Sequence, residues 1–269
     1  MLHLRILSAI VGIPLILGLV YLGDFYYAFF VLLLVNLGMY EYTAMLKSRG
    51  YHLPDFVGYA GVSLFIAAIC WAPFVQQEPI YPVVITVIIA LSLLVLIFFE
   101  KTDFVESALI FWGIIYLGGL CGCLILLRRL PEGMIFTYLL FAGIWLNDTL
   151  AYFIGSKWGR RRLAPSISPR KSLEGSLAGI IGTVLLIFLA VSTLAERIGL
   201  SPWEGLLLGL VIAVFGQLGD LVESAMKRKF EIKDAGKLIP GHGGVLDRFD
   251  SILFAAPVVY YFVQLLAQP

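Results

Sequence analysis

Apolar runs about twenty residues long follow one another through this chain, and most of its charged residues fall between them. As a helix, a run of that length crosses the hydrocarbon core of a bilayer, about 30 Å thick. Inside hydrocarbon every backbone N–H and C=O must find a partner within its own helix or within a closed barrel. The runs lack the period-two alternation of barrel strands, so helices are expected. Composition points the same way. Of 269 residues, 60% are hydrophobic and 14% are charged, whereas soluble domains carry about 25% charged residues. With a mean hydropathy of +0.95, the chain has too little charge to cover a water-facing surface of its size.

The runs fall near residues 5–22, 25–46, 56–74, 81–99, 104–127, 134–155, 176–195, 204–226 and 251–267. This predicts an all-α fold, a polytopic integral membrane helical bundle of about nine transmembrane helices. The fifth run is long enough to lie tilted. The opening stretch "MLHLRILSAIVGIPLILGLVYLG" imitates a signal peptide, but no small-x-small cleavage site follows, so it reads as a retained first span. No internal repeat is evident. Cys70, Cys121 and Cys123 all lie in apolar runs and read as small packing residues, not as a disulfide framework.

The net charge of +1 says little, but its distribution says more. Segment 156–175 carries Lys157, Arg160, Arg161, Arg162, Arg170 and Lys171 against the single acid Glu174. Segment 223–250 carries Lys227, Arg228, Lys229, Lys233, Lys237 and Arg248. As the sixth and eighth loops, these share one side of the membrane, and basic loops stay in the cytoplasm. The N-terminus with Arg5, and loop 47–55 with Lys47 and Arg49, then lie inside, and the C-terminus lies outside. Arg128 and Arg129 run against the rule. Bases on one face suit an anionic cytoplasmic substrate, or else serve only topology and lipid headgroups. Nothing resembles a nucleic-acid-binding module, so no nucleic acid partner is expected.

Several polar residues sit where a membrane helix should be apolar. Asn147 and Asp148 fall inside the sixth run, with Asp148 about 10 Å from the helix end. An acid at that depth costs at least ~2.5 kcal/mol and needs a partner or a wet cavity. Asn36 and Glu41 raise the same question more weakly, and Glu41 is close enough to a loop to snorkel. Near the end of the eighth run, Asp220, Ser224 and Lys227 form one polar face, with Glu223 beside them. Asp247 and Asp250, at i and i+3, share a face of the ninth. Converging carboxylates must share protons, pair with bases or hold a cation. Only oxygen donors gather here, which suits a hard ion of the Mg²⁺ type with bound phosphate. An ion-pair network of Asp247 and Asp250 with Arg248 or Lys227 is the competing reading. The "PGHGG" turn permits positive φ and close backbone approach to an anion.

The stretch "SAMKRKFEIKDAGKLIPGHGGVLDRFD", Ser224 to Asp250, resembles the signature of the phosphatidate cytidylyltransferases. "NDTLAYFIGSKWGR" and "SPRKSLEGS" also resemble family segments, with Ser172 where threonine is expected. The resemblance implies an enzyme that makes CDP-diacylglycerol and pyrophosphate from CTP and phosphatidate in phospholipid synthesis. It implies a divalent metal, Mg²⁺, with a second cation left open. On that footing Asp220, Asp247 and Asp250 are the expected metal ligands, with Asp148 as a further ligand or partner. Lys171, Lys227, Arg228, Lys233 and Arg248 are expected on phosphates, with His242 on pyrophosphate or as a proton carrier. Ser224, Asp234, Gly243, Gly244 and Asn147 complete the expected substrate-binding set. Residues 1–130 then form about five mostly lipid-facing spans. Residues 131–269 form a catalytic membrane region with loops 156–175 and 227–250 on the cytoplasmic side of the inner membrane. Glu174 and Glu223 are either ligands or partners of nearby bases, and Arg160, Arg161 and Arg162 read as topology determinants. "GLLLG", Gly205 to Gly209, joins either a homodimer or two helices of one chain. The alternative function is an ion-coupled transporter with an intramembrane carboxylate site, although transporter sites lie at the midplane between repeats.

Overall fold

The computed structural model describes residues 2–51, 55–71, 89, 93, 103–236, 238 and 243–266, without the side chains of 2–9. The chain divides into two compact units. One comprises Met1–Leu126 with Phe230–Arg248, the other Leu127–Lys229 with Phe249–Pro269.

The first unit contains α1 (Leu2–Leu22), α2 (Asp24–Lys47), α3 (Asp55–Trp71) and most of α4 (Phe104–Arg129). Polar side chains inside these helices are spent on tying them together. Asn36 Nδ2 donates to Leu32 O at 2.8 Å and to Ser63 Oγ on α3 at 3.1 Å. The Tyr42 hydroxyl donates to Leu109 O on α4 at 2.9 Å. The hydrogen-bond ladder of α4 widens into a π-helical turn over Ile115–Gly119. There a β-carbon on Gly118 would lie 3.1 Å from Phe65 Cβ of α3. The extra residue is absorbed where glycine allows α3 to come close.

The second unit contains α5 (Gly133–Trp158), strands β1 (Arg162–Ala164) and β2 (Ser168–Ser172), α6 (Leu173–Ile198), α7 (Pro202–Lys229) and most of α8 (Leu246–Leu266). In lipid no hydrophobic force draws helices together, so close contact depends on small residues at the crossings. A β-carbon on Gly175 of α6 would lie 2.9 Å from Gly155 Cα of α5, and one on Gly179 would lie 2.8 Å from Asn147 O. Gly205 and Gly209 of α7 press in the same way on Val191 and Val184 of α6. The Gly205–Gly209 pair thus packs α7 onto α6 within the chain.

The outer face of α6 inverts the pattern of a soluble helix. Leu177, Ile181, Leu185 and Leu189 recur every four residues and are 50–61% exposed. Gly175, Ser176, Gly179 and Thr183 face inward. Leucine outside and glycine inside suit a helix whose solvent is lipid. Six helices among the described residues are long and apolar enough to cross a membrane: α2 and α4 to α8. Among the described residues the chain is an all-helical polytopic membrane protein apart from one hairpin. The expected fourth span, 81–99, lies almost wholly outside the described residues.

That hairpin is a short addition to the helices. Within the sixth loop, β1 and β2 pair antiparallel, Arg162 with Ser172 and Ala164 with Ser168. Ile167 N–H closes the turn on Ala164 O at 3.2 Å. The intervening Pro165 and Ser166 are turn formers. The Glu174 carboxylate braces the entry strand by accepting the backbone N–H of Arg160 at 3.0 Å and of Arg161 at 3.2 Å. Ser172 caps α6 by accepting Gly175 N–H at 3.2 Å.

Candidate active site

Two groups of polar residues stand out, one in each unit. In the second unit, α7 carries Asp220, Glu223, Ser224 and Lys227 near its basic end. Lys171 at the end of β2 pairs with Asp220 Oδ2 at 2.5 Å. Ser224 Oγ donates to Asp220 Oδ1 at 3.2 Å, and Lys227 pairs with Glu223 one turn back. On α8, Asp250 is buried and its Oδ1 accepts the Ser251 N–H at 2.6 Å. A β-carbon on Gly219 would lie 3.1 Å from Phe254 Cβ and 3.2 Å from the Asp250 carbonyl carbon. Glycine there brings α7 and α8 close beside the acids. Asp250 lies within electrostatic reach of Asp220, Glu223 and Asp148. Asp148 itself is exposed on α5.

Asn147 is fully buried one residue before Asp148. Its Oδ1 accepts from Gln217 Nε2 at 3.0 Å, and Gln217 Nε2 also donates to Ser176 O at 3.0 Å. Asn147, Ser176 and Gln217 thereby tie α5, α6 and α7 together and set the turn that carries Asp148. Arg228 Nε reaches back to Ile167 O at 3.1 Å, fastening the hairpin to the end of α7.

In the first unit the signature loop runs from Phe230 to Val245, and Lys233, Asp234 and the following Arg248 are exposed. His242 lies outside the described residues, as do Lys237, Ile239, Pro240 and Gly241. Gly243 adopts φ +88°, the left-handed conformation that glycine tolerates best. Asp247 Oδ2 accepts the N–H of Ala235 at 3.0 Å and of Gly244 at 2.7 Å. This acid therefore folds the loop back onto the start of α8.

Glu41 has a larger structural role than its place near a loop implies. Glu41 of α2 does not snorkel; it is 1% exposed. Its two oxygens accept the N–H groups of Val245 at 2.9 Å and Leu246 at 2.8 Å. Its signal in the sequence is an acid in an otherwise apolar helix, and the nearby loop obscures that signal. Gln217 carries a weaker signal, as an uncharged residue beside more conspicuous acids.

Chemically, the second-unit group offers four carboxylates against two lysines, Lys171 and Lys227. The excess of hard oxygen donors suits a divalent ion such as Mg²⁺. Among the described residues, no three His, Cys, Asp or Glu side chains form a group ready to hold a metal ion. Mg²⁺ commonly takes one or two carboxylates and completes its shell with water and substrate phosphates, so the donor set fits without such a group.

Comparison with known proteins decides the family. The sequence model of the cytidylyltransferase family matches residues 3–266. This chain belongs to the cytidylyltransferase family. It is 33% identical to the phosphatidate cytidylyltransferase of Bacillus subtilis, over 97% of each chain. It is 36% identical to that of Synechocystis sp., over 97% of this chain and 96% of the other. It is 32% identical to that of Staphylococcus epidermidis, over 95% and 96%. For a cytidylyltransferase, acids and lysines set side by side are the parts required to handle polyphosphates in a membrane.

Proposed function

We propose that this cytidylyltransferase makes CDP-diacylglycerol and pyrophosphate from CTP and phosphatidate. The observation that carries the reading is that, in a chain of this family, Asp148, Asp220 and Glu223 lie within electrostatic reach of buried Asp250, with Lys171 and Lys227 paired to Asp220 and Glu223. A phosphatidate oxygen attacks the α-phosphorus of CTP. The bond from that phosphorus to the bridging oxygen breaks, and pyrophosphate leaves with the electron pair. The attacking phosphate is already ionised near neutral pH, so no general base is required. Lys171, Lys227, Arg228, Lys233 and Arg248 neutralise the phosphates of the two substrates, with Ser224, Asp234 and Asn147 around them. Gly243 and Gly244 shape the approach to the N-terminus of α8, a favourable place for phosphate. His242 hydrogen-bonds the leaving pyrophosphate. Asp220, Asp247, Asp250 and Asp148 are the residues that would hold Mg²⁺. When bound, the ion supplies positive charge for the departing pyrophosphate.

Residues 131–269 carry this chemistry, with segments 156–175 and 227–250 in the cytoplasm, in a bundle of about nine spans. The N-terminus lies inside and the C-terminus outside. The basic segments support this orientation, and no observation favours a transporter. Purified protein given CTP, phosphatidate and Mg²⁺ is expected to release pyrophosphate and form CDP-diacylglycerol, and to stop when the metal is chelated. Turnover unaffected by chelation would remove the metal assignment. No turnover under any condition would remove the reaction.

A further inference from the structure

We infer that Glu41 is a positioning residue for cytidylyl transfer, holding the signature loop and the first turn of α8 against the second membrane helix. The inference rests on the reaction proposed above. Its geometry lies wholly within the first unit. The first N–H groups of a helix lack intrahelical partners and carry the positive end of its dipole. Here a buried carboxylate takes two of them, one oxygen to Val245 and the other to Leu246.

That carboxylate comes from 204 residues away in sequence. A local Ser or Asp would cap a helix equally well. A cap from so distant a residue determines where the helix starts in space as well as whether it starts. Glycines let the loop close on it. A β-carbon on Gly244 would come 2.5 Å from Glu41 Oε2, and Gly236 abuts the same carboxylate. From this anchor the order continues to Asp247, one residue beyond Leu246, which gathers Ala235 and Gly244 through Oδ2. Lys233 and Asp234 immediately precede Ala235, and Arg248 follows Asp247. Glu41 contacts no reacting atom in this scheme; it acts through the backbone that carries those residues.

The test uses the full-length protein in nanodiscs and the isosteric substitution Glu41→Gln, which removes the charge and leaves one acceptor in place of two. Amide hydrogen exchange at residues 244–247, measured without substrates, is expected to rise on the order of tenfold. Exchange elsewhere and the thermal midpoint stay as in the parent. In turnover assays kcat/KM for CTP is expected to fall by up to about 10²-fold, the scale of a small misplacement of reacting groups. Glu41→Leu, with no acceptor, is expected to lose more on both readouts, and Glu41→Gln carries the test if Glu41→Leu does not fold. A Glu41→Gln protein with parental exchange at 244–247 overturns the proposal. So does one whose exchange rises uniformly as its thermal midpoint drops, because that is loss of general stability. The exchange readout involves neither CTP nor phosphatidate, so failure of the substrate assignment leaves it standing.

Discussion

Asp220 divides its carboxylate between two partners, Lys171 on Oδ2 and Ser224 on Oδ1. In the proposed reaction these contacts border the substrate phosphates, and a double-mutant cycle tests that role. Asp220→Asn and Lys171→Met are each expected to lower kcat/KM at least about 10²-fold. The double variant is expected to lose little more than the worse single, because the two side chains act on one interaction. Losses that multiply would mean that the two act independently. Asp247 calls for a different expectation. Its Oδ2 organises two loop N–H groups, so Asp247→Asn alters loop order as well as charge. Activity should fall and exchange at Ala235 and Gly244 should rise together. Activity lost with loop exchange unchanged would assign Asp247 to ligand contact alone. The acids were legible as residues out of place in apolar runs. Their partners were not, since Lys171 and Asp220 are far apart in sequence and only folding pairs them.

At the level of helices, the same composition that marks the membrane also hides the packing. Leucine-rich stretches announce spans, but the crossings of α5, α6 and α7 depend on glycines scattered among them. Gly179→Val is expected to destabilise the protein by about 1–3 kcal/mol, the usual cost of overpacking, because its β-carbon would press on Asn147. Leu185→Ala, on the 53% exposed outer stripe, should leave stability nearly unchanged. Thermal unfolding in detergent measures both; equal effects would mean that the outer face of α6 is packed against protein. The hairpin was not foreseen because its strands are three and five residues long and sit among arginines. Its order comes from Glu174 and from the contact of Arg228 with Ile167, neither of which a periodicity could reveal.

For the whole molecule, the proposed orientation sets the hairpin and the α6–α7 connection on opposite faces of the membrane, because α6 crosses between them. With the native cysteines replaced, Ser166→Cys is expected to react with an impermeant thiol reagent from the cytoplasmic side only, and Glu196→Cys from the other side only. Labelling of both from one side would remove the span between them. Sequence alone determined that this is a helical membrane protein, roughly where the six helices able to cross a membrane lie among the described residues, and which reaction its signature resembles. Those properties are local: they depend on run length, charge between runs and spacing within one segment. Tertiary structure decided which acids meet which lysines, that Gly205 and Gly209 pack against α6, and that Glu41 anchors a loop about two hundred positions away. The physical reason is that a buried polar group must be satisfied by whatever the fold brings beside it. A linear pattern records that the group needs a partner but does not record which one.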